Sequence, residues 1–157
     1  MKINGENSET GEKYQSDAGS VTGDFIKAMS SFNFSDEETK KLIDGLNVSA
    51  DVKSLLYSFS KATIKAGEYI IKIGRKILDF VCMVFDEYPN ATFGLLFGAI
   101  AGVLIGSIPI LGVVLGPVFA PIAMLLGLTS GYFDDIKNKS LLRTIKAANA
   151  EFSPLNA

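Results

Sequence analysis

The chain has 157 residues with 15 basic and 17 acidic side chains, enough for one domain with a tail and too evenly charged for the basic footprint of a nucleic-acid binder. Histidine is absent and Cys82 is the single cysteine. This excludes imidazole general bases, Ser-His and Cys-His nucleophiles, most zinc sites and any internal disulfide.

Residues 1–23 are rich in Gly, Ser, Glu, Lys and Asn, with almost no large apolar side chains. Such a segment buries too little surface to offset ordering, so a disordered polar head is expected. It reads either as a solvated tail or as a delivery or partner-binding arm. It lacks the apolar centre of a signal peptide, so any membrane insertion falls to an internal segment.

An amphipathic helical region is expected over 24–87. Phe25, Ile26, Met29 and Phe32 share one helical face, and Ser35 followed by Glu38 makes a capping-box pattern. Gly45 marks a stop, and Ser49 can cap a long helix over about 50–87. At 100° per residue, Lys61, Lys65, Glu68, Lys72, Lys76 and Asp79 fall in one sector, opposite Phe59, Ile70, Ile73, Ile77 and Val84. A helix with this stripe can pack on a core or lie on a membrane surface, where Lys61, Lys65, Lys72, Arg75 and Lys76 would meet anionic lipid. Cys82, in an apolar run, reads as a buried thiol or as a juxtamembrane palmitoylation target.

Residues 88–133 contain no charge over 46 positions. One helix of that length would be roughly 65–70 Å long, against a hydrocarbon core of about 30 Å. Pro109 interrupts it near the middle, so two spans over about 91–108 and 111–131 are expected, joined by a turn. Pro117 and Pro121 would kink the second. Basic residues lie on both outer sides of the block and none in the turn, which puts both termini in the cytoplasm. The remainder, 134–157, reads as a polar cytoplasmic tail that opens with a helix bearing Leu141, Leu142, Ile145 and Ala148 on one edge. The acidic pairs Asp86-Glu87 and Asp134-Asp135 flank the block and read as caps and interface markers. No catalytic, cofactor or metal-binding constellation is present in the sequence, so an enzyme is not expected.

The most specific feature is the spacing of small residues. Gly94, Gly98, Gly102 and Gly106 recur every fourth position; Gly112, Gly116 and Ala120 form a second line, and Ala123, Gly127 and Gly131 a third. In lipid, helices associate by close packing, which small residues at i, i+4 permit. The pattern over 94–131 resembles the glycine zipper of membrane proteins, several of them channel- or pore-forming. The architecture also resembles the hydrophobic hairpin of pore-forming colicins, and the two-span inclusion-membrane proteins of intracellular bacteria. These resemblances imply an all-α fold: a membrane helical hairpin of two transmembrane helices, preceded by amphipathic helices and a disordered head.

The expected function is that of a small integral membrane protein whose copies associate through these faces and permeabilise a bilayer, as a toxin or effector. Its expected partners are the lipid bilayer and further copies of the chain. Its expected location is the bacterial inner membrane, or a host membrane after secretion. The alternative is a non-enzymatic anchor whose 24–87 helices bind a partner protein. A third reading, a soluble bundle with the hairpin at its centre, needs more amphipathic cover than three short segments supply.

Overall fold

Residues near the N-terminus pair as strands. In the computed structural model, which describes residues 1–128 and 136–156, β1 (Lys2–Glu6) and β2 (Lys13–Asp17) form an antiparallel hairpin. Lys2 faces Asp17 and Glu6 faces Lys13, opposite charges across the ladder. Asn7 ties the connection: its side-chain oxygen accepts from the backbone N–H groups of Glu9 and Thr10 at 2.9 and 3.1 Å. Gly11 takes the left-handed step at φ 73°. The expected disordered head is thereby corrected. Composition misleads here because one side chain, the fully buried Ile3, anchors the hairpin while a helix covers the neighbouring Gly5.

Three capped helices follow. Thr22 caps α1 (Gly23–Met29), Ser35 and Glu38 make a complete capping box on α2 (Asp36–Asp44), and Ser49 caps α3 (Ala50–Ser60). In each case the side-chain oxygen accepts an otherwise free amide of the first turn.

The single helix expected over 50–87 is instead four elements. After α3 the chain makes β3 (Ile64–Ala66) and β4 (Tyr69–Ile71), then α4 (Ile73–Glu87). Ala66 pairs with Tyr69, so Gly67 and Glu68 form a two-residue turn. Gly67 has φ 59°, and among the described residues only glycines have positive φ, which fits a turn with glycine at its first central position. The sheet order is β2-β1-β3-β4, all antiparallel. A Cβ on Gly74 would collide with the carbonyl oxygen of Phe59, so glycine lets α4 start hard against the end of α3. The expected basic stripe dissolves with the helix. Lys61 caps the end of α3, Lys65 lies in β3, Lys72 precedes α4, and Arg75 and Lys76 sit in its first turns, Lys76 only 6% exposed.

The uncharged block makes α5 (Phe93–Ser107) and α6 (Pro109–Leu126), which meet at the extended Ile108. Helix α5 is a core element. Leu96, Phe97, Ala99, Ile100 and Ala101 are fully buried, and the Phe97 ring packs edge-on to Phe59 with centroids 5.3 Å apart. Its middle turn, Gly98–Gly102, is π-helical. Helix α7 (Lys139–Ala150), capped by Asn138, turns Leu141, Ile145 and Ala148 inward, and Phe152 and Leu155 beyond it are fully buried.

The all-α, two-span membrane hairpin is therefore corrected to a mixed α/β domain with a four-stranded antiparallel sheet. Among the described residues one helix, α6, is long and apolar enough to cross a membrane. The physical reason is that a side chain's apolarity is the same whether protein or lipid surrounds it. Helices α4, α6 and α7, with Phe59 of α3, supply the cover for α5, and the first hairpin covers part of α6.

Candidate membrane-contact face

Helix α6 begins with Pro109 at its first position, where a missing N–H costs nothing. It ends at Gly127, whose φ of 68° allows a left-handed cap closed by Leu128 N–H donating to the Ala123 carbonyl at 2.8 Å. It holds 18 residues with a mean hydropathy of 2.2, yet 28% of them are buried. The inward residues are Ile110, Leu111, Val114, Leu115 and Ile122. They meet α5, α3 and the N-terminal hairpin, and Phe119 stacks on Phe97 with centroids 5.5 Å apart. On the open side, Ala120 is exposed, Met124 is 81% exposed and Leu125 54%. A helix of 18 residues is about 27 Å long, close to the hydrocarbon thickness of about 30 Å.

The small-residue lines divide between inside and outside. A Cβ on Gly94 would make ordinary contact with Leu128 at 3.6 Å. Gly98 is buried and Gly102 half-buried in the π turn, and Gly106 faces open space. The i→i+5 bonding of that turn breaks the period on which a straight glycine groove depends. On α6, a Cβ on Gly112 would lie 3.1 Å from the Ile105 carbonyl oxygen, so this glycine serves the close approach of α5 and α6. Gly116 faces open space, and Ala120 continues that edge outward. Ala123 is half-buried, while Gly127 is the cap. Gly131, Asp134 and Asp135 lie outside the described residues.

Pro117 and Pro121 lie inside α6 and line a groove of about 590 Å³ together with Glu6, Lys61, Thr63 and Val114. Without their N–H groups, the carbonyls of Val113 and Pro117 lose their helical donors. The polar side of this groove comes from the first hairpin and the end of α3.

A second cluster, invisible in the sequence, fixes the Ser31–Phe34 loop to α4. Asp79, 2% exposed, accepts from the backbone N–H of Asn33 and Phe34 at 3.0 Å and from the Asn33 side-chain amide at 3.0 Å. Arg75 donates to the Phe34 carbonyl at 2.9 Å, pairs with Asp36 at 2.7 Å, and lies 3.6 Å over the Phe32 ring. Lys76 donates to the Ser31 carbonyl. Burial pulls the Lys76 ammonium below its ordinary pKa, and the Asp79 carboxylate opposes that pull. Every polar group of the cluster named here is matched, so it reads as a structural clamp. Burial pushes the Cys82 thiol up to about 12, and the fully buried side chain is not offered for acylation in this fold.

No protein-family model, curated protein or solved structure matches this chain.

Proposed function

We propose that the protein is a membrane-active effector: α6 passes from the surface of the folded domain into a bilayer, and copies then associate along its Gly112–Gly116–Ala120 edge to permeabilise it. One observation carries this reading, an uncharged 18-residue helix of mean hydropathy 2.2 with only 28% of its residues buried. A helix serving only as core would bury far more of itself, as α5 does. Transfer into lipid returns to Ile110, Leu111, Val114, Leu115 and Ile122 the apolar surroundings they leave, and adds burial for Met124 and Leu125 at about 25 cal/mol per Å². Pro117 and Pro121 suit either setting, since neighbouring groups in membrane proteins re-satisfy freed carbonyls.

The test is flotation with dye-loaded vesicles. Wild-type protein is expected to float with the vesicles and release the dye. Ala120→Asp changes an exposed position two-thirds along α6, so the fold is expected to stand. An aspartate costs about 2.5–3.5 kcal/mol at a span centre and less away from it, so partition should fall by up to roughly 300-fold. Wild-type protein left wholly in the soluble fraction would overturn the proposal. Flotation without release would favour the anchor reading instead.

A further inference from the structure

Strand β1 pairs more extensively with β2 than with β3. Strands β1 and β2 pair over five residues of each strand. Against β3, β1 makes two residue pairs, Ile3 with Ala66 and Asn4 with Lys65, extended by Gly67 N–H donating to the Lys2 carbonyl at 2.8 Å. Within the hairpin, Ile3 is the one fully buried large side chain, and Tyr14 packs partly buried against the core.

The same hairpin closes over the first half of α6. Gly5 stands where a Cβ would collide with the Val114 side chain and lie 3.0 Å from Ile110. Both α6 residues are buried, while the other end of the helix is already open at Met124 and Leu125. Beyond Asp17, Ala18 and Val21 are buried again, and a Cβ added to Gly19 between them would meet nothing within 4 Å. Ala18 belongs to the hairpin, its N–H donating to the Met1 carbonyl at 2.9 Å, and Val21 belongs to the domain, so Gly19 and Ser20 join the two. A unit with a short outer ladder and few apolar anchors belongs to the low-stability end of a structure and opens before the core.

We infer that residues 1–18 are a strap that gates α6: the hairpin swings away as a unit about Gly19–Ser20, uncovering Ile110 and Val114, and only then is α6 apolar to solvent from Pro109 to Leu126. Gly5 is the seat of the strap, kept small so that the helix can lie flat against the sheet. This gating rests on the membrane reading for its purpose, but the opening itself does not need a membrane to be seen.

The experiment locks the strap from the outer face of the sheet. Asn4 and Lys65 are directly opposed, and neither is a core side chain. The pair Asn4→Cys with Lys65→Cys should oxidise to a cross-strand disulfide, while buried Cys82 stays out of exchange. Hydrogen exchange without lipid is read first. In the reduced protein the β1 and β2 amides should exchange together and ahead of α4, and oxidation should slow them on the order of tenfold or more. Dye release from vesicles is read second: oxidation should suppress it and reductant restore it. If the pair does not oxidise, Gly5→Ala serves in its place, and should speed both exchange of the hairpin and dye release. The strap is overturned if β1 and β2 exchange only together with α4, or if oxidised protein releases dye as fast as reduced. Protein that binds no vesicle in either state refutes the membrane reading, and hydrogen exchange alone then decides the strap.

Discussion

Single residues settle where this chain bends and what its buried charges do. Asp79 on α4 and Asp36 at the start of α2 both tie the Ser31–Asp36 stretch to α4, but in different surroundings. Asp79 is 2% exposed and accepts from two backbone amides. Asp36 has an 87% exposed side chain and pairs with Arg75 at 2.7 Å. Removing a buried acceptor leaves its donors unmatched, so Asp79→Ala should cost about 2–4 kcal/mol. Asp36→Ala should cost no more than about 1 kcal/mol, because solvent screens an exposed pair. Urea midpoints of the two variants check this; equal losses would remove the clamp. The caps were legible in the sequence because they are local: Ser35 with Glu38 and Ser49 each act within three residues of themselves. Asp79 was not legible, because its partners lie 45 and 46 residues away and helical spacing alone assigned it to the polar stripe of an amphipathic helix.

Among the elements, the error over 50–87 has an identifiable source. Charged residues from Lys61 to Asp79 match a helical period, and the same stretch also holds an alternating Ile64-Lys65-Ala66 and a β-branched Ile70-Ile71 around Gly67-Glu68. The glycine-led two-residue connection is the signal that could have separated them. Gly74 then sets how α3 and α4 pack. Gly74→Ala should destabilise by about 1–3 kcal/mol or more, because the added methyl meets the fixed Phe59 carbonyl, not a side chain that can turn aside. A denaturant midpoint unchanged from wild type would show that this crossing has slack. Ala in place of the unobstructed Gly116 provides the comparison: helix propensity favours it by about 1 kcal/mol in water.

Over the whole molecule, an uncharged block of 46 residues divides into one helix that the domain encloses and one that it carries on its surface. The break at Ile108-Pro109 is written in the proline. The division is not, because α5 and α6 are alike in composition and differ in what the rest of the chain brings to them. Three strands lay hidden in segments read as disorder or helix, and a fourth, β4, in the same misread stretch. Together with α3 and α4 they supply the cover whose shortage made a buried centre look untenable. What remains uncovered, Ala120, Met124 and Leu125 toward the end of α6, is the basis of the membrane reading. The most direct measurement attaches an environment-sensitive dye at Ala120→Cys, since buried Cys82 will not take the label in the folded protein. On adding vesicles the emission should shift to the blue and be quenched by lipids carrying a quencher in their tails. Emission that stays water-like at saturating lipid would mean that α6 remains on the domain and that its apolar face serves something other than a bilayer.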